Sequence, residues 1–212
     1  MKGIFVTFEG SDGSGKTSVL RAVDKQLQDT HKTNYILTRE PGGSKISEAI
    51  RDIILDPKNT EMNPRTEALL YAASRSQHVS ETIVPALEAG KVVLCDRFVD
   101  SSLVYQGVGR NLGIDPVAMI NNFATQGLEP DLTFYFDISP EEGIARIQKH
   151  RKNQIDRMDV QDINFYHDVA RAYDDLARDN AERYVKIDAS QPLQKVIENV
   201  MDELRARFVE RL

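Results

Sequence analysis

The clearest indication of chemistry in this chain is the run Gly10-Ser11-Asp12-Gly13-Ser14-Gly15-Lys16-Thr17. It fits the pattern of glycine, four variable residues, glycine, lysine, and serine or threonine, in which backbone N–H groups surround a phosphate. Glycines permit backbone torsions and close approaches that a Cβ would prevent. Lys16 would place a positive charge near the β and γ phosphates, and the Thr17 hydroxyl would ligate Mg²⁺. We therefore predict that all eight residues bind a nucleoside triphosphate, with a glycine-rich surface turn as the alternative.

Charged residues also follow two apolar runs further along the chain. Arg39 and Glu40 come after Asn34–Thr38, and Asp96 and Arg97 come after Lys91–Cys95. An Asp at the end of a buried strand suits the carboxylate that holds Mg²⁺ or its waters beside a phosphate loop. Asp96 is therefore the predicted metal partner of Thr17, although strand-end Asp residues also serve simply to cap turns.

Transfer between two phosphates would require additional cations, because two anions must be held close together and the charge between them neutralised. The candidates are Arg39, Arg51, Arg75, Arg97, Arg151, Lys152 and Arg157. Most surface arginines are only solvated, but Arg39 and Arg97 are distinguished by their positions after strand ends. The other basic group, from His150 to Arg157, we interpret as part of a mobile lid over about residues 150–158.

Strand-like runs alternate with helical patterns along the chain, which favours a parallel sheet with helices on both faces. The remaining predicted strands are Ile4–Phe8, Leu132–Phe136 and Tyr184–Ile187, and the predicted helices begin near Lys16, Ser44, Asn63, Ser80, Asp115, Ser139, Asp162 and Val196. Pro85 is expected to kink or break the fourth helix. The fold class is α/β, a P-loop NTPase fold with a five-stranded parallel sheet, and ligands bind such sheets at the carboxyl ends of the strands.

Helical spacing also predicts which side chains are buried. Ile46, Ala49, Ile50, Ile53 and Ile54 share one face of the helix that begins at Ser44, and Ala68, Leu69, Ala72 and Ala73 form the buried face of the next helix. On that next helix Tyr71 and Arg75 are one turn apart, so they are expected to project together. Tyr71 taken alone, as an aromatic residue among alanines on a helix, favours a core position over a binding surface.

Length and charge narrow the classes of function. The 212 residues favour one domain, spanning residues 1–212. A formal net charge of -6 argues against a broad nucleic-acid or membrane surface and favours a small anionic ligand. The single Cys95 cannot form an internal disulfide, and no signal peptide or membrane span is recognisable, so a cytoplasmic location is expected.

Several longer motifs carry a more specific resemblance. They are Phe8-Glu9-Gly10 through Thr17, Arg39-Glu40-Pro41-Gly42-Gly43, Leu70-Tyr71-Ala72-Ala73-Ser74-Arg75, Asp96-Arg97-Phe98 through Tyr105-Gln106-Gly107, and Asp156-Arg157. With these motifs the chain resembles the bacterial thymidylate kinase family from end to end. The resemblance implies direct in-line transfer of the γ-phosphoryl group of Mg-ATP to dTMP, giving dTDP and ADP, in a nucleoside monophosphate kinase that forms a homodimer.

The resemblance also implies roles for individual residues. Tyr71, where the family usually has Phe, would stack on thymine, Arg75 would reach its O4 carbonyl, and Ser102 and Gln106 would address its imide edge. Arg39 and Arg97 would bind the monophosphate, and Arg51 and Glu40 would support that end of the site. Asp12 would lie near the sugar 3′-hydroxyl. Ser101 and Tyr105 complete the predicted dTMP site, and Lys16, Arg97, Arg151 and Arg157 are the predicted catalytic cations.

One position distinguishes two subclasses of the family. Some members of the family have Arg after the loop Asp, where this chain has Gly13, so the missing charge is expected to come from the lid. Two other functions remain as alternatives. A deoxynucleoside kinase would use the same scaffold but needs fewer arginines, and a nucleotide-dependent switch or assembly ATPase would need no acceptor pocket.

Overall fold

A computed structural model describes residues 3–150, 157 and 162–208, with the side chain of His150 excluded. The predictions that concern Arg151, Lys152 and Asp156, and with them most of the predicted lid, lie outside the described residues. The strands are β1 Ile4–Glu9, β2 Tyr35–Arg39, β3 Val92–Asp96, β4 Leu132–Asp137 and β5 Tyr184–Asp188. The helices are α1 Lys16–Asp29, α2 Lys45–Leu55, α3 Pro64–His78, α4 Val84–Glu88, α5 Val99–Ser102, α6 Ile114–Thr125, α7 Pro140–His150, α8 Ile163–Asp179 and α9 Leu193–Phe208.

The five strands form one parallel sheet in the order β2-β3-β1-β4-β5, which confirms the predicted fold class. The first four residues of β3 are fully buried, as expected for a central strand covered on both faces. One core lies between the sheet and helices α1 and α9, and others involve α8 and the segment that runs into α4. None of the described helices combines the length and the apolar composition needed to span a bilayer.

Two π-helical segments depart from the regular pattern. Helix α3 continues through Val79–Ile83 into α4, so the helix predicted to begin near Ser80 is a continuation of α3. The chain stays helical through Pro85 and does not break there. A π-helical turn frequently takes up an irregularity inside a longer helix. The second segment, Leu103–Gly109, directly follows α5 and was not predicted from the sequence.

The predicted buried faces of α2 and α3 are partly wrong. Ile46 and Ile53 are 54% and 49% exposed, and Leu69 is 57% exposed. Helix α2 instead contacts α3 through Ser47, whose hydroxyl donates to the carbonyl oxygen of Ser74 at 2.8 Å, and Ile54 is the fully buried apolar residue of α2. An apolar stripe therefore faces away from the core on these two helices.

Candidate active site

The parallel sheet brings the predicted site residues to one edge. Arg39 at the end of β2 is in register with Asp96 at the end of β3, and Phe8 of β1 pairs with Asp96 on the other side. A cavity of about 1020 Å³ opens there. Its walls include these predicted residues: Asp12, Gly13, Gly15, Lys16, Thr17, Arg39, Glu40, Arg51, Tyr71, Arg75, Asp96, Arg97, Ser101, Ser102, Tyr105 and Gln106.

The glycine-rich loop between β1 and α1 has the conformation that its sequence predicts. Gly10, Gly13 and Gly15 all have positive φ, at 138°, 79° and 90°. A Cβ on Gly13 would collide with the carbonyl group of Gly143, so this position also requires glycine for space. The loop leads directly into the N-terminal end of α1. The helix dipole favours an anion at this end.

Lys16 closes this loop. Its ammonium group donates to the carbonyl oxygens of Gly10 at 2.8 Å and Ser11 at 2.9 Å and to the hydroxyl of Ser14 at 3.1 Å. Burial, reinforced by the positive charge of Arg97, lowers the pKa of Lys16 to about 7. A nearby anion would favour the charged form of this lysine.

Thr17 and Asp96 meet across the cavity floor. The Thr17 hydroxyl donates to an Asp96 carboxylate oxygen at 2.8 Å, which joins the start of α1 to the end of β3. The pair offers two oxygen ligands of the type that Mg²⁺ accepts. Among the described residues no group of three or more His, Cys, Asp or Glu side chains is placed to hold a metal.

Arg97 occupies the centre of the cavity. Its backbone is left-handed, with φ at 68°, which turns the side chain back toward the loop. One nitrogen donates to the Gly10 carbonyl at 3.0 Å and to Ser101 at 2.9 Å, and another contacts Asp12 at 2.7 Å. The Tyr105 hydroxyl donates to the second Asp12 oxygen at 2.9 Å, and the Tyr105 ring lies beneath the guanidinium.

Glu9 belongs to this centre, although the sequence reasoning gave it no role of its own. The carboxylate is fully buried and accepts from Phe98 N at 2.7 Å, from the Ser101 hydroxyl at 2.6 Å and from the Tyr173 hydroxyl at 2.9 Å. It thereby fixes the turn that carries Arg97. The available signal was a Glu at the end of an otherwise apolar strand, where an uncompensated charge would be costly.

Glu9 should make the stability of the protein depend on pH. Burial, followed by the charge of Asp100, raises its pKa from 4.5 to about 7. The folded state therefore binds more protons than the unfolded state between these values, and the free energy of unfolding falls as pH rises through this window. We expect Glu9→Gln to remove a slope of up to about 1.4 kcal/mol per pH unit. Urea unfolding at pH 5, 6 and 7 measures it, and parallel curves for parent and variant would contradict the assignment.

Arg75 lies at the far end of the cavity with its guanidinium buried. It forms an ion pair with Glu40 at 2.6 Å and donates to Ser102 and to the Phe98 carbonyl, both at 2.9 Å. A further hydrogen bond joins it to Asn121. Tyr71, one turn earlier on α3, also lines the cavity, so the two side chains face the same space.

The remaining predicted cations that the structure describes are bonded to other protein groups. Arg39 makes two hydrogen bonds of 2.8 Å to Glu48, and Arg51 donates to the Pro41 carbonyl at 2.8 Å. Arg157 contacts Glu67 at 2.6 Å and donates to the Ile54 carbonyl, and it is not part of the cavity wall. Arg151 lies outside the described residues.

Comparisons with known proteins agree on one family. The family model described as Thymidylate kinase matches residues 8–200. The thymidylate kinase of Ligilactobacillus salivarius is 58% identical over 96% of this chain and 98% of its own length, and that of Enterococcus faecalis is 53% identical over 99% of both. A crystal structure of thymidylate kinase from Ehrlichia chaffeensis is 30% identical, with a TM-score of 0.76, and the match covers 96% of this chain and 99% of that chain.

Proposed function

Because the chain belongs to the thymidylate kinase family, we propose that it transfers the γ-phosphoryl group of Mg-ATP to dTMP by direct in-line displacement. The observation that carries the proposal is the single cavity with two dissimilar ends. The phosphate loop and Lys16 form one end, Tyr71 and Arg75 form the other, and the Arg97–Asp12 pair lies between them. Such an arrangement can bring two phosphorylated nucleotides together.

Catalysis on this proposal consists of positioning and charge stabilisation, without a covalent enzyme intermediate. Gly10 through Thr17 hold the donor triphosphate. Lys16 supports the transferred phosphoryl group, and Arg97 reaches the acceptor phosphate from the middle of the cavity. Asp12, which is held by Arg97 and Tyr105, binds the acceptor sugar by accepting a hydrogen bond from the sugar hydroxyl.

The residues present fit a magnesium ion that keeps several waters, because Thr17 and Asp96 offer two adjacent oxygens beside the loop. These two residues would hold it. When bound, Mg²⁺ supplies charge neutralisation between the phosphate groups.

The acceptor end supports a pyrimidine with a carbonyl at position 4. Arg75 can only donate hydrogen bonds, so it suits an O4 acceptor and disfavours the amino group of cytosine. Ser102 is bonded to Arg75, and Ser101 to Arg97, so both serine hydroxyls help to orient the cations of the acceptor site. Arg39, Arg51 and Glu40 lie on the same wall and complete the proposed dTMP site.

The lid is proposed to provide a further cation, since Gly13 leaves the loop without one. Arg151 keeps its proposed catalytic role. For Arg157 that role would require the guanidinium to leave Glu67, with which it is paired at 2.6 Å. Lid closure over about residues 150–158 would exclude water and limit wasteful ATP hydrolysis.

An acceptor panel tests the proposal. ADP release is measured with ATP and magnesium in the presence of thymidine, dTMP, dUMP, dCMP or dGMP, and without acceptor. We expect turnover with dTMP and much less with dCMP and dGMP. Activity with thymidine but none with dTMP would indicate a deoxynucleoside kinase, and turnover that needs no acceptor would indicate an ATPase.

We also propose a homodimer formed through the exposed apolar side of α2, α3 and α6. Leu69, Met119 and Phe123 are 57%, 73% and 87% exposed on α3 and α6, and α3 packs against both α2 and α6. Large apolar side chains grouped on neighbouring helices are typical of an interface. Light scattering should give about twice the chain mass of 23.9 kDa, and Phe123→Asp should shift it toward one chain. A parent mass near 23.9 kDa at assay concentration would contradict the dimer.

A single catalytic domain and a cytoplasmic location complete the proposal. The location is supported by the unpaired Cys95, which is buried and suits a reducing compartment.

A further inference from the structure

Glu67 on α3 connects the acceptor wall of the cavity to Arg157, which belongs to the predicted lid. It is 1% exposed and lies one turn before Tyr71. The side-chain amide of Gln106 donates to it at 2.9 Å, Arg110 contacts it at 3.2 Å, and Arg157 contacts it at 2.6 Å. No role in the proposed transfer has so far been given to this carboxylate.

The charge state of Glu67 decides what it can accept. Burial favours the neutral form, but the hydrogen bonds from Gln106 and Arg110 and the charges of Arg110 and Arg157 outweigh it, so the pKa of Glu67 is lowered. An ionised carboxylate can only accept hydrogen bonds. Gln106 must therefore turn its NH₂ group toward Glu67.

This orientation determines which atom Gln106 offers elsewhere. The side chain is 1% exposed and belongs to the cavity wall, beside Ser102 and Arg75. With the NH₂ group committed to Glu67, the carbonyl oxygen is the remaining polar atom of the amide. The wall then combines a donor, Arg75, with an acceptor, Gln106.

We propose that Glu67 is a specificity-determining positioning residue, which orients Gln106 so that its carbonyl oxygen selects acceptor bases carrying an N–H donor next to a carbonyl group. Thymine and uracil carry that pattern at N3 and O4, whereas cytosine has an acceptor at N3 and an amino group at position 4. The inference rests on the proposed function, because it concerns the same acceptor site.

Arg110 and Arg157 keep this arrangement in place. The Arg110 guanidinium lies 5.3 Å from the centre of the Phe165 ring on α8, which fixes it from the opposite side. Arg157 is held by its own bonds to the backbone carbonyl oxygens of Ile54 and Leu55. Their two positive charges make it favourable for Glu67 to remain ionised although it is buried.

The test is Glu67→Gln, assayed with dTMP and with dCMP. A neutral amide at position 67 can either donate or accept, so Gln106 is no longer held in one orientation. We expect the ratio of kcat/KM for dTMP to that for dCMP to fall about tenfold, with the KM for ATP unchanged. In a Gln106→Met background, the same substitution should change the ratio less than about twofold, because Glu67 then has no amide to orient.

Asp100→Asn is the matched control, since Asp100 is a second buried carboxylate paired with an arginine, Arg183 at 2.9 Å, and it is not part of the cavity wall. It should lower stability without changing the ratio. If Glu67→Gln does not fold, Glu67→Gln combined with Arg157→Gln carries the same test, because it removes the unbalanced charge. A ratio within threefold of the parent, or an equal effect in the Gln106→Met background, would overturn the inference. A parent protein inactive with dTMP would instead overturn the proposed function.

Discussion

Lys16→Ala is expected to reduce kcat by about a thousandfold or more, because a buried cation that stabilises developing charge is worth this much in comparable sites. Its ammonium group is held at the loop by Gly10, Ser11 and Ser14. No other described lysine lines the cavity. Single-turnover measurement of ADP formation with saturating dTMP would isolate the chemical step.

The same substitution should leave the fold intact. Burial lowers the pKa of Lys16 from 10.5 to about 7, so the unfolded state binds more protons at neutral pH and the charged side chain opposes folding there. We therefore expect the free energy of unfolding of the variant to be no lower than that of the parent. Lys25→Ala is the matched control, because Lys25 lies on the same helix but is exposed and pairs only with Asp29 among the contacts described. Turnover of Lys16→Ala within tenfold of the parent would mean that the loop is not catalytic.

Arg75→Ala is expected to affect both dTMP binding and stability. The substitution removes the proposed donor to O4, so the KM for dTMP should rise about a hundredfold while the KM for ATP changes little. It also leaves the buried carboxylate of Glu40 without its arginine, which costs about 3–5 kcal/mol of folding free energy in such pairs. Steady-state kinetics and urea unfolding measure the two effects separately.

A double variant separates them. Glu40→Gln together with Arg75→Ala removes the uncompensated charge, so part of the lost stability should return while the KM for dTMP stays high. A double variant that binds dTMP as tightly as the parent would show that Arg75 acts only through the fold. Equal effects of Arg75→Ala on dTMP and ATP would mean that the base pocket lies elsewhere.

Much of the fold was predictable because its signals are local. The apolar run at β3 and the glycine pattern after β1 each specify their structure within a few residues, and the parallel sheet follows from their alternation with helices. The outward faces of α2 and α3 were mispredicted for a physical reason. Helical spacing identifies an apolar face but does not say whether the protein's own core or another surface covers it.

The site was predictable to the extent that its residues follow strand ends. Arg97 and Asp96 were placed in this way, and both line the cavity. The contacts of the buried carboxylates Glu9 and Glu67 were not predictable, because their partners come from distant parts of the chain. Glu9 meets Tyr173, and Glu67 meets Arg157, through contacts that no sequence spacing encodes.

The π-helical segment Leu103–Gly109 determines which neighbouring side chains face the cavity. Its backbone bond from Arg110 N to Tyr105 O, at 2.8 Å, spans five residues, one more than in an α-helix. The neighbouring residues Tyr105 and Gln106 are thereby both buried, one bonded to Asp12 and the other to Glu67. A homologue that lacked a single residue here would continue as a regular helix, and the side chains on the two sides of the missing residue would be rotated relative to each other by about 100° compared with this chain.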